Sequence, residues 1–243
     1  MNDQHYNFWH NQFAHFTTIV VANGEVPSSE LSLSILNDNK RRIICCDGAL
    51  QKLLSINIVP DVVVGDGDSI DAELLQRETD SVPSCRDDVH IVSTNGHEIQ
   101  YYQDRSEEYN DLQKALKYCI SKGYDTVLLM GCAGLREDHF IANLSIMTMY
   151  SETMSLMMLT EHGVFNVMRK SATFPSFPGM PVSVFARSSQ SKLTFTGLRY
   201  PVNNRSFNWL WEGSLNEALE DSFIVEAGDD EPVVVYRALE TQP

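Results

Sequence analysis

Residues 42–70 read RIICCDGALQKLLSINIVPDVVVGDGDSI, and this stretch decides the fold class. Two short runs, RIICC and DVVV, are apolar without alternation and rich in β-branched side chains, the mark of strands covered on both faces. Each runs into a polar, glycine-containing turn: Asp47-Gly48 after the first, Gly65-Asp66-Gly67-Asp68-Ser69 after the second. Between them GALQKLLSI has the length of a short helix. Buried strand, helix and buried strand make a right-handed crossover within a parallel sheet.

The same alternation continues on both sides. TTIVVAN (Thr17 to Asn23) predicts a further buried strand, and Pro27, Ser28 and Ser29 open a helix over Glu30 to Leu36. Ser69 is placed to cap a helix beginning near Asp71. Beyond the polar stretch from Thr79 to Asp88, HIVS predicts a short strand. Asp111 to Ile120 is an amphipathic helix with Leu112, Ala115, Leu116 and Cys119 on one face. DTVLLMG predicts another strand, and Glu137 to Tyr150 another helix. After about Thr160 the texture changes to short alternating runs (VFNVM, PVSVFA, KLTFTG, FIVEAG, PVVVYR) broken by Pro, Gly and Ser. Only Asn216 to Glu220 has helical spacing there. The expectation is an α/β protein: an N-terminal doubly wound, mostly parallel sheet domain over 1–160, followed by a small antiparallel β-sandwich domain over 161–243.

Among the 243 residues, Lys and Arg number 18 and Asp and Glu 33, a formal net charge of −15. No Lys/Arg cluster stands out, so the composition argues against nucleic acid as a partner, because that affinity comes from basic residues neutralising phosphates. An acidic protein that binds a nucleotide must meet its phosphates with metal ions, backbone N–H groups and a few placed cations. The five cysteines, Cys45, Cys46, Cys85, Cys119 and Cys132, form no C-x-x-C pair and suit a reducing compartment better than a disulfide framework. The first residues, MNDQHYNFWHNQFAHF, lack the basic start and apolar core of a signal peptide, and no apolar run approaches the roughly 20 residues of a membrane helix. A cytoplasmic location and no membrane partner are therefore expected. His5, His10 and His15 recur every five residues, a period of neither helix nor strand, so this segment is read as an aromatic-rich arm packing on the domain.

In an α/β sheet, ligands bind beyond the carboxyl ends of the strands. Asp47 and Gly48, Gly65 to Ser69, and Gly131 to His139 all fall at those predicted ends. Asp66 and Asp68, one residue apart in an extended turn, can aim two carboxylates at one divalent cation; a solvated acidic turn is the plain alternative. Taken singly, Asp47 reads as an ordinary strand-end cap and Asp111 as an acid favoured by the helix dipole. Arg136, Asp138 and His139 in GCAGLREDH join a flexible turn of Gly131 and Gly134 to a cation suited to phosphate. His139 is open to a structural reading, held by Asp138. Asn143, one turn further on, is placed to hold the loop.

The ordered set CCDGAL, PDVVVGDGDS, YNDLQKAL, GCAGLREDHFIANL, TGLRYP and GSLNE resembles the thiamine pyrophosphokinase family from about Val20 to about Gly228. The departures are specific. Cys46 and Ala49 replace Ala and Gly around Asp47-Gly48, Gly67 stands where an aromatic is common, and Asn110 replaces Thr. Glu107 and Glu108 replace Gln and Asp, and Leu215 takes the Ser position before Asn216. The resemblance implies a homodimer that uses Mg²⁺ and the co-substrate ATP to pyrophosphorylate thiamine, releasing AMP. It implies that Asp47, Asp66, Asp68 and Asp111 hold Mg²⁺ directly or through water, and that Arg136, with Lys114, pairs with phosphate. Asn23, Gly24, Gly48, Gly65, Ser69, Gly131, Gly134 and Asp138 would line the nucleotide side, with His139 handling a proton. Trp209, Ser214 and Asn216 would line the thiamine pocket, Trp209 from the partner subunit; its other reading is a β-domain core aromatic. Rival readings are another Mg-dependent transferase, acting on a pterin alcohol or a nucleotide sugar, and a non-catalytic sensor of thiamine or nucleotide. Four intact aspartates favour an enzyme.

Overall fold

The computed structural model describes residues 1–68, 89–94, 97–186 and 189–241. Ser69, the helix expected near Asp71 and Cys85 lie outside the described residues. The chain divides into two compact units, Gln12–Ile146 and Met1–Asn11 with Met147–Pro243. Its first element is helix α1 (Asp3–Phe13), where no regular structure was expected. The five-residue histidine recurrence hid the signal that matters, Trp9 and Phe13 at i and i+4, both buried.

In the Gln12–Ile146 unit the elements are β1 (Thr18–Val21), α2 (Glu30–Leu36), β2 (Arg42–Cys46), α3 (Leu50–Ser55) and β3 (Val62–Gly65). They continue as β4 (Val89–Thr94), β5 (His97–Gln103), α4 (Asp111–Ser121), β6 (Thr126–Met130) and α5 (Glu137–Tyr150), which runs into the next unit. The strands lie in the order β6-β1-β2-β3-β5-β4. Every pairing is parallel except β4 with β5. The expected buried strands are buried: Ile19 to Val21, Ile43 to Cys46, Val62 to Val64 and Val127 to Met130 all lie in the core. Two helix starts follow the residues that announce them. Ser29 accepts from Ser32 N–H at 3.2 Å, and Asn110 accepts from Gln113 N–H at 2.9 Å in a reciprocal capping box. Asn at 110 therefore does the work expected of Thr. The strand β5 was not foreseen, although Ile99 and Tyr101 are buried and Glu98 and Gln100 exposed, as alternation requires.

The other unit carries β7 (Ser155–Leu159), β8 (Gly163–Met168), β9 (Ser171–Pro175), β10 (Pro181–Ala186), β11 (Lys192–Thr196) and β12 (Val202–Ser206). The last three are β13 (Asn216–Glu217), β14 (Ser222–Ala227) and β15 (Val233–Ala238). They pair antiparallel in two groups, β13-β10-β15-β8-β7 and β12-β11-β14-β9. Asn216 to Glu220 is not helical: it begins with the two-residue strand β13, which pairs with β10 and outweighs the local helical spacing. Arg237 of β15 donates from Nη1 to the Pro175 carbonyl of β9 at 2.7 Å, and its guanidinium lies over the Phe174 ring, so the two groups of strands face each other there. Burial draws the Arg237 pKa down to about 10.

Helix α1 closes this unit. Trp9 Nε1 donates to the Leu239 carbonyl at 3.1 Å, its ring faces the Arg237 guanidinium, and His5 stacks on Phe177 at 3.9 Å. Trp9→Ala would leave a large void and an unmet carbonyl, and should cost about 3–5 kcal/mol. Chemical denaturation followed by far-UV circular dichroism should show a lower midpoint for the unit that holds α1; an unchanged midpoint would reduce α1 to an ornament.

Candidate active site

The carboxyl ends of β1, β2, β3 and β6 converge on one edge of the parallel sheet, and their turns are laced together by backbone. Ala22 N–H donates to Met130 O at 2.8 Å, Gly24 N–H to Gly131 O at 2.6 Å and Glu25 N–H to Ala133 O at 2.7 Å. This close approach is why residue 24 is glycine: a Cβ there would sit 2.4 Å from Gly131 O and 2.5 Å from Ala133 O, both fixed backbone atoms. Gly131 and Gly134 turn the β6–α5 loop with φ of 65° and 96°. Asn143 Nδ2 donates to Cys132 O at 3.0 Å, so the loop is held as the spacing predicts.

Beside these turns opens a cleft of about 450 Å³ lined by Asn23, Gly24, Lys52, Asp111, Arg136 and His139 among others. Asp47, Asp66 and Asp68 each bring one carboxylate oxygen to within 4.8 Å of the others. Asp47 is buried, and its two oxygens accept from Gly48 N–H at 2.7 Å and Gly67 N–H at 3.3 Å, so it is also the strand-end cap of the plain reading. Burial, then the charges of Asp111 and Asp66, push its carboxyl up to about 6. Lys114, buried on α4, reaches back with Nζ to Asp66 Oδ2 at 3.0 Å and Asp111 Oδ1 at 3.4 Å. That ammonium holds Asp66 down at about 2. Burial works against the charged Lys114, but the Asp66 hydrogen bond and the Asp111 charge outweigh it and raise its pKa. Lys114 thus spends its charge on the aspartates.

Arg136 and Asp138 are both exposed and form a two-point pair, Nε to Oδ1 at 3.0 Å and Nη2 to Oδ2 at 2.6 Å. His139, on the first turn of α5, is exposed at the cleft. Gly48 and Gly65 lie in the carboxylate turns as expected; Ser69 lies outside the described residues. The remaining candidates are in the other unit. Trp209 is 68% exposed, which removes the core reading. Ser214 Oγ donates to Trp211 O at 2.7 Å. Asn216 is buried, donating to Tyr200 O at 2.9 Å and accepting from Tyr200 N–H at 3.0 Å, which fixes a turn.

Three side chains escaped the sequence. Lys52 on α3 donates from Nζ to Asn23 O and Oδ1, each at 2.6 Å, and to Gly24 O at 3.0 Å. It is a cleft-lining ammonium whose partners are all neutral oxygens, and its position one helical turn past Asp47 was the only available signal. Tyr101 and Gln103 on β5 bond the Gly65 and Asp66 carbonyls at 3.2 and 2.9 Å. They could not be found without β5.

Gly24→Ala should therefore loosen the lacing of β1 to β6 at a cost of about 1–3 kcal/mol. Thermal unfolding and titration with a fluorescent ATP analogue should show a lower Tm together with weaker nucleotide binding. Wild-type behaviour in both would mean that the tight approach is not required.

The catalytic-domain model of thiamin pyrophosphokinase matches residues 33–158, and the thiamin pyrophosphokinase substrate-binding domain matches residues 163–236. No curated protein matches the sequence. Among solved structures, thiamine pyrophosphokinase from Bacillus subtilis is 20% identical, with a TM-score of 0.70 over 93% of this chain and 100% of that one. The enzyme from Candida albicans is 16% identical, with a TM-score of 0.71 over 94% of this chain and 92% of that one. Yeast thiamin pyrophosphokinase is 15% identical, at 0.71 over 98% and 90%. These structures share the fold, and the family match, which spans more than half of the chain, makes this chain a member of the thiamin pyrophosphokinase family.

Proposed function

We propose that the chain transfers the pyrophosphoryl group of ATP to the hydroxyl of thiamine, giving thiamine pyrophosphate and AMP. The observation that carries this reading is the meeting of Asp47, Asp66 and Asp68 at the sheet edge within a chain of that family. The donor set suits magnesium: all its atoms are carboxylate oxygens, gathered within 4.8 Å of one another. Asp47, Asp66 and Asp68 would hold the ion, with Asp111 taking part through water. Bound there, Mg²⁺ would supply neutralisation of phosphate charge.

The chain's own residues do the rest by position and charge. Backbone at Asn23, Gly24, Gly48, Gly65, Gly131 and Gly134 faces the nucleotide and lets phosphates come close. Lys52 and Arg136 add fixed positive charge, Arg136 exchanging one arm of its Asp138 pair for a phosphate oxygen. His139, which lines the cleft, would take the proton of the acceptor hydroxyl.

Trp209, Ser214 and Asn216 are assigned to thiamine, the indole stacking on its cationic ring for roughly 0.5–2 kcal/mol. The active unit is a homodimer in which Trp209 serves the partner's cleft. Support comes from the Trp209–Leu215 segment, where Trp209, Leu210, Trp211 and Leu215 are all at least 65% exposed, a patch suited to burial against a second copy. Buried free thiols at Cys45, Cys46, Cys119 and Cys132 suit the reducing cytoplasm, and no described helix is long and apolar enough to cross a membrane.

Incubation with Mg·ATP and thiamine should yield AMP and thiamine pyrophosphate in equal amounts, and no product from a pterin alcohol. Asp66→Asn and Asp68→Asn should each lower kcat/KM by about a hundredfold or more with the fold intact. Near-normal turnover in both would sink the metal assignment. Mixing Asp66→Asn with Trp209→Ala subunits should restore part of the activity, because one site of each heterodimer then carries neither lesion. Heterodimers without recovery would put each site within a single chain.

A further inference from the structure

The hydrogen-bond ladder between β3 and β5 ends at Gly65 opposite Gln103. The two metal-side aspartates come after that end, in a turn that the ladder no longer holds. Side chains from β5 continue the support. Tyr101 and Gln103, two positions apart, project on the same side of the strand. Tyr101 is buried and donates its hydroxyl to Gly65 O at 3.2 Å, Gln103 Nε2 donates to Asp66 O at 2.9 Å, and Asp104 N–H adds a second bond to Gly65 O at 2.8 Å. The peptide units on both sides of Asp66 are thereby fixed from the β5 side, while Gly67 N–H is tied to Asp47 across the turn.

The residue between the aspartates fits this support. Gly67 has φ of 92°, and a Cβ there would lie 2.6 Å from the Tyr101 hydroxyl oxygen, with the next atoms at 3.4 and 3.5 Å. The space a side chain at 67 would fill is the space the phenol oxygen occupies. We infer that Tyr101 is a positioning residue: its hydroxyl braces the Gly65–Asp68 turn and keeps the Asp66 and Asp68 carboxylates gathered, and residue 67 is glycine so that the brace can reach. This rests on reading the aspartates as a cation site.

Mn²⁺ titration without nucleotide, read from the electron paramagnetic resonance of the free ion, tests it with the full-length protein. Tyr101→Phe should weaken Mn²⁺ binding about three- to tenfold, the loss of one hydrogen bond that orders the ligands. Gly67→Ala should weaken it by more than about tenfold through crowding and strain. The double variant should lose less than the product of the two, because the atom that the new Cβ would strike is gone. Gln103→Met, at a more accessible position, should weaken binding in the same direction and stands in should the Tyr101 variants fold poorly. In turnover the apparent KM for Mg²⁺ should rise more than kcat falls, a split that a general loss of folded protein would not produce. Wild-type affinity in Tyr101→Phe and Gln103→Met, or strictly multiplicative effects in the double variant, would overturn the inference while leaving the metal site standing. No Mn²⁺ binding by the unaltered chain would remove the metal reading and this inference with it.

Discussion

Repulsion among carboxylates is the constraint around which the nucleotide unit is built. Asp47, Asp66 and Asp68 gather at one sheet edge, and Asp111 adds its charge from the start of α4. Like charges this close oppose one another, and the fold answers with fixed geometry in place of free counter-charge. The single Lys114 ammonium is shared by Asp66 and Asp111. Asp47 is buried, and burial, then the charges of Asp111 and Asp66, makes it hold its proton more tightly. The carboxylates are thus unequal: Asp66 is held firmly ionised, while the Asp47 carboxyl is pushed up to about 6.

The same shortage explains why backbone matters so much. A chain of net charge −15 cannot surround a polyphosphate with lysines and arginines. At this sheet edge the turns come close enough for their peptide groups to bond. The β1 and β6 turns bond to each other, and Lys52 clamps the first of them through three oxygens. Electrostatics here is a property of where the main chain runs, and side chains mostly hold it there.

Most of the parallel sheet was legible in the sequence because its strands are covered on both faces and so appear as unbroken apolar runs. RIICC, DVVV and TVLLM needed no other information. Strand β5 was illegible for the opposite reason: in HEIQYYQ the buried Ile99 and Tyr101 alternate with exposed Glu98 and Gln100, an alternation too short to stand out. Losing β5 meant losing Tyr101 and Gln103, whose roles come from a neighbouring strand and leave no mark on sequence spacing. The aspartates were visible as a motif, but the division of labour among them was not, since it depends on which of them Lys114 reaches. Helix α1 was missed because its histidines are periodic and its two buried aromatics are only one pair.

That helix also constrains the order of assembly. Trp9 bonds to a carbonyl 230 positions away, and the unit it completes otherwise consists of residues after Met147. On the ribosome α1 emerges early and meets its partners only when nearly the whole of the nucleotide unit has followed it. For most of synthesis its Trp9 and Phe8 have no core to enter, and such exposed aromatics invite misassembly or chaperone capture. Docking α1 is therefore a late step, closing one of the longest loops available to the chain. Residues of α1 complete a unit built otherwise from Met147 onward, so that unit is sealed by a segment made before its partners.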